Sequence, residues 1–523
     1  MMKKNSVFLI KFIIFILIIC ELISPINIIS AVSVSSTETK INLISPEHRI
    51  NSLISNMSLE QKVGQMFFYN FRWDSSGNII TKINQNIEAI IKYYNLGGII
   101  LFSENIQDAK QVADFIKDLQ KASPSFPLFI SIDEEGGRVL RTKALDVPRI
   151  SAALNIGATG DPKNAYNAAK TIANYLKPLG FNVNFAPVAD VFTNPANTVI
   201  GDRAFSSDAD TAALMVKSFT EGLLDNGLLP TLKHFPGHGD TSNDSHYGAA
   251  TTKKTLKELF ECEFIPFQAG INAGAAFVMT GHITAPNVTG NNLPATFSDY
   301  LLKDILRDKL NFDGVIITDA LEMGAITKYY ASEETAVNSI IAGVDMLLVP
   351  QDLTESYFGI IKAVKSGKIT EERINESVRR ILIAKYKANL IKLPEPKQIN
   401  IAAYNINGNN YIKLRDIAYI LNNTSKQFEI TYDSQKNAVN ITSGKSYTII
   451  GGEMSKSTPE IQTSEPATAK IYIDGKEINL TAYNINGNNY FKLRDITRLF
   501  DIYISYDSSG IITLDTSKKY IEN

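Results

Sequence analysis

Eight short apolar segments recur between about residues 57 and 392, separated by stretches with the length and spacing of amphipathic helices. The segments are residues 63–71, 96–105, 127–135, 181–191, 229–237, 275–286, 314–323 and 343–350. Their apolar residues are continuous rather than alternating, which is typical of parallel strands buried on both faces. Eight β/α units over roughly 300 residues predict a TIM (β/α)8 barrel of the α/β class. A doubly wound open sheet is the alternative.

Polar residues stand at the same end of several of these segments. They are Asp133 in the third segment, Lys233 and His234 in the fifth, His282 in the sixth and Asp319 in the seventh. A charged residue at the end of a core strand does not stabilise the strand. The recurrence of such residues at the same end of several strands therefore indicates function. Because active sites of TIM barrels lie at the carboxyl ends of the strands, the pattern predicts a catalytic face there.

Beyond residue 392 the composition shifts toward Asn, Ile, Tyr and Lys, and an internal repeat begins. Residues 397–417 return as residues 476–496, and each copy has an Asn-Gly pair between alternating segments, which is a β-hairpin signal. We predict two small α+β modules, 395–450 and 470–520, joined by a Ser/Thr/Pro-rich linker at 451–469. The modules resemble the stalk-like repeats related to the N-terminal domain of copper amine oxidases. They contain no His or Cys that would support copper binding.

The first residues are expected to direct export rather than to join the fold. Two lysines precede the apolar residues 12–20, which are short for a membrane span and suit the core of a signal peptide. Small residues at 31–33 could be cleaved, so we predict a signal peptide at 1–33 and a secreted or cell-surface protein. A lipoprotein anchored at Cys20, disfavoured by the bulky Ile19, and a retained membrane anchor are the alternatives.

Composition and charge narrow the class of protein further. At 523 residues, 44% of them apolar, the chain is long enough for two or three domains with a sizeable core. Lys and Arg number 52 against 54 Asp and Glu, and the net charge of −2 argues against nucleic-acid binding. Only Cys262 would remain after export, so no internal disulfide is expected.

Three of the five histidines fall within residues 233–246, KHFPGHGDTSNDSH. His234 and His238 have the i, i+4 spacing of a zinc pair on a helix, but the Pro and Gly residues around them would break a helix. A metal site is therefore the weaker interpretation. Asp244 and His246 are two positions apart, so a turn can bring the carboxylate to one imidazole nitrogen and leave the other for proton transfer. The alternative is a surface turn in which Asp244 caps a backbone group.

Six motifs, taken in chain order, resemble one enzyme family. They are MSLEQKVGQMF, IDEEGGRVLR, NFAPVADV, IGDRAF, KHFPGHGDTSNDSH and VIITDALEM. This set is similar to the β-N-acetylglucosaminidase branch of glycoside hydrolase family 3 and covers about residues 55–390. The resemblance implies a TIM barrel and a retaining exo-β-N-acetylglucosaminidase that needs no metal or organic cofactor.

The resemblance also implies roles for individual residues. Asp319 corresponds to the nucleophile of a retaining glycosidase, which forms a covalent glycosyl-enzyme. His246 corresponds to the general acid/base and Asp244 to its partner, in place of a second carboxylate. The positions that correspond to sugar-binding residues are Asp133, Arg141, Arg203, Lys233 and His234. Without the resemblance, Asp319 would be interpreted as the N-cap of the next helix. The five positions that correspond to sugar-binding residues would be interpreted as an ion-pair network.

The expected substrates are terminal β-GlcNAc residues of glycans, in particular muropeptides and other peptidoglycan fragments. The C-terminal repeats are expected to act in attachment or spacing on the cell wall. A glycoside phosphorylase of the same family is the nearest alternative, because a histidine acid/base repels phosphate less than a carboxylate would. A non-catalytic cell-surface binding protein is an alternative of a different class.

Overall fold

The computed structural model describes residues 32–241, 250–396, 398–456 and 460–522. The chain divides into two compact units, Ile50–Pro394 and a second unit that combines Met1–Arg49 with Glu395–Asn523. The predicted acid/base pair, Asp244 and His246, lies outside the described residues, as does the predicted signal peptide up to residue 31. No helix in the four described ranges is long and apolar enough to cross a lipid bilayer.

Eight parallel strands form the centre of the unit Ile50–Pro394, and each lies inside one of the eight predicted apolar segments. Barrel strands 1 to 8 are Phe67–Asn70, Gly98–Ile100, Phe129–Ile132, Val183–Asn184, Leu229–Phe235, Phe277–Thr280, Val315–Thr318 and Leu347–Leu348. Hydrogen-bonded neighbours follow the order 7-6-5-4-3-2-1-8. A parallel bridge between Ile317 and Met346 links strand 7 to the residue before strand 8, so the sheet is nearly closed. The predicted eight-stranded α/β barrel is confirmed, and the open sheet is wrong.

Helices precede the first barrel strand, connect the strands and follow the last one. They are Pro46–Ile54, Leu59–Gln65, Gln85–Tyr94, Ala109–Ala122, Ala153–Gly157, Pro162–Leu179, Ala209–Asp225, Leu256–Glu261, Phe264–Asn272, Pro286–Thr289, Gly324–Thr327, Ser332–Ala342, Leu353–Lys365 and Glu371–Lys387, with a π-helix at Tyr300–Lys309 and 3-10 turns at Ser103–Asn105, Gly201–Arg203 and Ala295–Phe297. Asp108, Asp208 and Asp352 each precede a helix and accept a hydrogen bond from the third following backbone N–H. Each carboxylate thereby satisfies a donor that the first helical turn leaves unpaired.

Aromatic side chains fill the interior of the barrel. Phe129 of strand 3 contacts Phe68 of strand 1 and Phe277 of strand 6, with ring centroids 5.9 and 5.3 Å apart. Because these strands are not neighbours in the sheet, their side chains can meet only across the interior. Lys385 is also fully buried; its Nζ lies 5.2 Å from the Phe129 ring centroid and donates to Gln65 Oε1 at 2.6 Å.

The second unit contains one large and one small sheet. From edge to edge, the nine-stranded sheet consists of Val32–Val34, Gln462–Pro466, Ala482–Ile485, Asn488–Lys492, Asn409–Lys413, Gln398–Ile406, Ser36–Ile44, Ile512–Asp515 and Tyr503–Tyr506. The four-stranded sheet consists of Phe428–Asp433, Ala438–Ser443, Lys470–Ile473 and Lys476–Ile478, and the unit's helices are Leu414–Leu421 and Leu493–Leu499. Both repeats therefore share the same two sheets.

The two repeats pair with each other about a local twofold axis. Strand Asn409–Lys413 runs antiparallel to Asn488–Lys492, and Ile412 pairs with Phe491, its equivalent in the other repeat. On either side of this pair, Tyr411 pairs with Lys492 and Lys413 pairs with Tyr490. An interface in which the same surface of both partners meets is the arrangement found in symmetric homodimers.

Two features of this unit differ from the sequence prediction. Strand Ser36–Ile44 lies between Gln398–Ile406 and Ile512–Asp515, so an N-terminal segment completes the sheet of the C-terminal repeats. Strand Gln462–Pro466 lies inside the segment 451–469, which the sequence predicts to be a linker. Both strands are short or polar, and their pairing partners are distant in the chain, so local composition did not reveal them.

Candidate active site

A groove of about 370 Å³ opens at the carboxyl ends of the barrel strands. Six of the eight residues predicted to be functional line this groove: Asp133, Arg141, Arg203, Lys233, His234 and Asp319. They come from the ends of four strands and their loops, so the fold gathers residues spread over nearly 190 positions of sequence. The other two, Asp244 and His246, lie outside the described residues, and their arrangement stays a prediction.

Asp319 follows barrel strand 7 directly, and hydrogen bonds fix its backbone and its side chain. Its N–H donates to the Thr280 carbonyl of strand 6 at 2.9 Å, and its Oδ1 accepts from the N–H of Ala320 at 2.8 Å. Burial by itself raises the pKa of the Asp319 carboxyl, but the nearby His234 and His282 side chains bring the pKa below its usual range. The carboxylate is therefore ionised at neutral pH.

The alternative role of Asp319 as a helix cap is wrong. The next helix, Gly324–Thr327, begins after Met323, and Asp319 accepts only from the adjacent Ala320 N–H among the described residues. His282 holds this turn from behind, since its Nε2–H donates to the Ala320 carbonyl at 3.0 Å. His282 is thus a supporting residue of the Asp319 turn rather than part of the groove lining.

Lys233, from strand 5, joins two carboxylates of the groove. Its Nζ lies 2.8 Å from Asp133 Oδ1 and 2.7 Å from Glu135 Oε1, and only 3% of its side chain is exposed. Burial by itself lowers the pKa of the Lys233 ammonium, but Asp133 and Glu135 raise the pKa above its usual value. The lysine is therefore a fixed, permanently charged donor at the wall of the groove.

Arg203 binds Glu135 through two parallel hydrogen bonds. Its Nε and Nη2 donate to the two carboxylate oxygens at 2.8 and 2.9 Å. Although burial raises the pKa of Glu135, Arg203 and Lys233 together hold it well below the usual range. The sequence prediction did not assign Glu135 a role, although it stands in the same strand-end motif as Asp133.

His234 is oriented by a buried carboxylate. Its Nδ1–H donates to Asp190 Oδ2 at 2.7 Å, and Arg203 Nη2 donates to its Nε2 at 3.3 Å. Asp190 Oδ1 also accepts the backbone N–H groups of His234 and His238, at 3.2 and 2.7 Å. A ring with Nε2 free of hydrogen accepts from the guanidinium, so Asp190 sets the tautomer that the groove requires. Asp190 ends the fourth apolar segment, the signal by which it could have been found.

The mouth of the groove carries further polar and aromatic groups, of which the sequence prediction named only Arg141. Arg72 pairs with Glu104 at 2.5 Å and stacks on Phe102, with its Cζ 4.2 Å from the ring centroid. Arg141 lies 3.5 Å from Asp133, and its buried Nε has no hydrogen-bond partner among the described residues. Glu322 also lines the groove, and burial raises the pKa of its carboxyl. These groups provide donors and acceptors beyond the central charged cluster.

The two described histidines of the stretch 233–246 lie side by side, with ring centroids 5.9 Å apart, but their ring nitrogens have different partners. His238 Nδ1 is 2.6 Å from Thr241 Oγ1, whereas His234 faces Asp190 and Arg203. Within the described ranges, the structure contains no group of three or more His, Cys, Asp or Glu residues placed to hold a metal ion.

The arrangement suits a polyhydroxylated ligand that reacts at one carbon. Charged donors and acceptors surround one side of the groove, while Ile100, Met279, Leu348 and Val349 supply an apolar side. Charge-assisted hydrogen bonds bind hydroxyl groups strongly, and the apolar surface can pack against a sugar ring. An ionised carboxylate at a strand end can then act as a nucleophile.

Comparison with known proteins agrees with this geometry. The sequence profile of the glycosyl hydrolase family 3 N-terminal domain matches residues 58–384, more than half of the chain. The chain belongs to glycosyl hydrolase family 3. The match covers all eight barrel strands and every described residue of the groove.

Similar proteins in this family carry hexosaminidase names. The chain is 32% identical to Beta-hexosaminidase A of Pseudoalteromonas piscicida, over 64% of this chain and 62% of that protein. It is 38% identical to a solved family 3 β-N-acetylglucosaminidase from Paenibacillus sp. str. FPU-7, with a TM-score of 0.61 and 65% of each chain covered. The chain thus spans a little less than two thirds of these two relatives. A structure described as the beta-glucoside phosphorylase BglX is 28% identical to this chain, with a TM-score of 0.60. The match covers 66% of this chain and 61% of that one.

Proposed function

We propose that the protein is a retaining exo-β-N-acetylglucosaminidase that removes terminal β-linked GlcNAc from glycans. The observation that carries the proposal is the ionised Asp319 at the end of strand 7, facing the charged groove of Asp133, Arg203, Lys233 and His234. Relatives named beta-hexosaminidase and β-N-acetylglucosaminidase support this substrate class.

Two displacements at the anomeric carbon make up the proposed reaction. In the first, Asp319 attacks this carbon, the glycosidic bond breaks, and the leaving oxygen takes a proton from His246. In the second, neutral His246 takes a proton from water, the resulting hydroxide attacks the same carbon, and Asp319 leaves as a carboxylate. Asp244 stabilises the protonated imidazole of His246 before the first displacement and after the second. His246 and Asp244 enter this scheme from the sequence motif alone.

The charged cluster is proposed to bind the terminal sugar. Asp133 accepts hydroxyl hydrogens, whereas Lys233 and Arg203 donate, and all three are held by ion pairs before any ligand arrives. Groups fixed in advance lose little entropy on binding and therefore place the anomeric carbon reproducibly against Asp319. This preorganisation suits the binding of one sugar residue in a fixed position.

Substitution of Asp319 tests the proposal directly. Asp319→Asn keeps the shape but removes the charge, and we expect kcat on an aryl β-GlcNAc to fall by a factor of about 10³ or more. Asp313, exposed at the opposite end of the same strand, gives the matched control Asp313→Asn, which should leave kcat unchanged. A fluorinated β-GlcNAc donor should add its sugar to the wild-type peptide containing Asp319, as detected by mass spectrometry. Near wild-type turnover in Asp319→Asn would refute the assignment.

A glycoside phosphorylase is the second candidate, favoured by the similarity to the beta-glucoside phosphorylase structure. In that reaction phosphate replaces water in the second displacement and the product is a sugar 1-phosphate. Product analysis with and without inorganic phosphate separates the two reactions. Formation of free GlcNAc at an unchanged rate in phosphate would support the hydrolase, whereas GlcNAc 1-phosphate as the main product would overturn it.

We further propose that the enzyme is secreted and acts on peptidoglycan fragments. The charged and apolar pattern of residues 1–33 supports export, and the repeats, similar in sequence to stalk-like modules, support a place at the cell wall. Fractionation of producing cells tests export, and digestion of GlcNAc-MurNAc muropeptides tests the substrate. Turnover of any β-GlcNAc compound would also exclude a non-catalytic binding protein.

A further inference from the structure

The second unit contains a groove of about 410 Å³, which we call the repeat groove because both repeats line it. The first repeat contributes Tyr432 and Asn437, and the second contributes Asn484, Asn488 and Asn489 from its hairpin. The strands that pair across the local twofold axis, one from each repeat, both reach the lining. Neither repeat could therefore form this groove alone.

Tyr432 presents an aromatic ring in the repeat groove. The residue is 56% exposed, yet its hydroxyl is held, because it donates to Asn437 Oδ1 at 2.8 Å. Asn437 is held in turn, since its Nδ2 donates to Thr468 Oγ1 at 3.2 Å. Within the described ranges, no other aromatic ring and no cation stacks on the Tyr432 ring. A ring fixed in this way offers an apolar face to a ligand and loses little entropy on binding.

The hairpin of the second repeat supplies amide groups to the same groove. Asn484 Oδ1 accepts from the Gly487 N–H at 3.2 Å, and Asn484 Nδ2 donates to Asn489 Oδ1 at 3.2 Å. The Nδ2 of Asn489 and the Oδ1 of Asn488 have no hydrogen-bond partner among the described residues. One is a donor and the other an acceptor, so the turn can bind hydroxyl or acetamido groups.

The charged residues of the lining offset one another. Lys413 donates to the Gly452 carbonyl at 2.6 Å and lies 3.5 Å from Asp416. Arg415 and Glu465, the other two charged residues among the described residues of the lining, have opposite signs. An acidic polymer would meet Glu465 without an excess of positive charge to compensate it. The amides and the apolar ring therefore suit an uncharged ligand.

The equivalent groove on the other side of the twofold axis differs at its tyrosine. That groove is lined by the corresponding hairpin of the first repeat and by Arg494 and Tyr506 of the second. Arg494 Cζ lies 5.9 Å from the ring centroid of Tyr506, so this ring already has a partner in the molecule. The two grooves share their amides, but the repeat groove is the one whose ring carries no stacked cation.

We propose that the repeat groove binds an uncharged, β-1,4-linked glycan chain. One sugar ring packs its apolar face on Tyr432, and Asn488 and Asn489 bind hydroxyl or acetamido groups. A β-1,4 linkage keeps successive sugar rings in a flat ribbon whose faces are open to an aromatic ring. The proposal does not depend on the reaction at Asp319, because the repeat groove shares no residue with the groove at the barrel.

Affinity electrophoresis of the full chain tests the proposal. Gels contain hydroxyethyl cellulose or glycol chitin as β-1,4-linked polymers, dextran as an α-linked polymer, or sodium polygalacturonate as an acidic one. All gels also contain excess GlcNAc, which occupies a site for terminal sugars at the barrel. We expect retardation by at least one β-1,4-linked polymer and none by dextran. Tyr432→Ala should weaken this binding about tenfold or more and Asn489→Ala about threefold, whereas Tyr432→Phe, which keeps the ring, should stay within about threefold of the wild type.

Tyr506→Ala is the matched control, because Tyr506 is the equivalent residue of the other repeat and is also exposed. It should bind like the wild type, and circular dichroism should be the same for all variants. Equal losses in Tyr506→Ala and Tyr432→Ala, or full binding by Tyr432→Ala, would overturn the proposal. The same holds for absence of retardation in both β-1,4-linked gels, for stronger retardation by polygalacturonate, and for release by added tetraalanine but not by added cellohexaose, which would indicate a peptide site.

Discussion

Glu135 is the residue whose replacement gives the most quantitative test of the site. It accepts three hydrogen bonds from buried cations, two from Arg203 and one from Lys233, at 2.7 to 2.9 Å. Glu135→Gln keeps the size of the side chain but turns one acceptor into a donor that faces a guanidinium or ammonium hydrogen. Removing one partner of a buried ion pair costs about 3–5 kcal/mol, because it leaves uncompensated charge.

We expect about 3 kcal/mol for Glu135→Gln at pH 7, the lower end of that range, because Lys233 keeps Asp133 as a partner. The single tryptophan of the chain, Trp73, lies in the barrel unit, so its fluorescence during urea denaturation reports the unfolding of that unit. The control is Glu88→Gln. Glu88 pairs with Lys92 at 2.5 Å, but both side chains are about half exposed, so the cost should be below about 0.5 kcal/mol.

The effect of Glu135→Gln should also depend on pH with a definite sign. Because the pKa of Glu135 is lowered in the folded protein, its stabilisation is complete above the unfolded pKa of 4.5 and is lost as the pH falls further. The difference between wild type and variant should therefore be constant from pH 7 to 5 and shrink toward pH 3. A cost below about 1 kcal/mol at pH 7, or one that does not shrink in acid, would refute the ion-pair argument.

Three further predictions concern other parts of the chain. His246→Ala should slow hydrolysis of disaccharides strongly, and azide should partly restore turnover of aryl glycosides; unaltered disaccharide rates would mean that another residue is the acid. The fragment Ile50–Pro394 should fold and keep its kcat/KM on a soluble aryl β-GlcNAc, and a hundredfold loss of kcat/KM in this folded fragment would contradict the prediction. A longer fragment that retains strand Ser36–Ile44 without its partner strands should aggregate. Burial lowers the pKa of Lys385 to about 7, so the unfolded chain binds more protons above that pH and stability to urea should rise from pH 7 to 10; Lys385→Met should abolish the rise.

The sequence predicted the barrel because its strands are buried on both faces and therefore read as continuous apolar runs. Each of the eight runs contains a strand, and four of the five polar residues noted at their ends line one groove, the exception being His282. What could not be predicted is which neighbouring carboxylate points into the groove. Asp133, Glu134 and Glu135 are consecutive, and the two glycines that follow, with φ of 89° and 56°, set their directions. Residues other than glycine rarely adopt such φ angles, so the two glycines are expected at a turn. The sequence alone does not tell which turn they form.

For the C-terminal repeats, the sequence predicted local turns but not the pairing of strands. Their identity predicted the hairpins, which depend on local Asn-Gly turns. The pairing of one repeat with the other, and of Ser36–Ile44 with both, depends on contacts between residues far apart in the chain, for which composition and periodicity carry no signal. The resemblance of six motifs to one family therefore added most for the barrel and least for this unit.

The position of Ser36–Ile44 makes the barrel an insertion within another folding unit. Ile44 accepts a hydrogen bond from the N–H of Thr516, 472 positions later, so the sheet closes a loop that contains the whole of Ile50–Pro394. While that sheet is intact, an unfolded barrel is a closed loop with fewer conformations than a free chain, and the barrel gains stability from its host. During synthesis the dependence is reversed, because the host sheet is completed only after the barrel. Strand Ser36–Ile44 is synthesised before its partners Gln398–Ile406 and Ile512–Asp515, so the sheet should be the slow step of folding, and the barrel should be complete before its host.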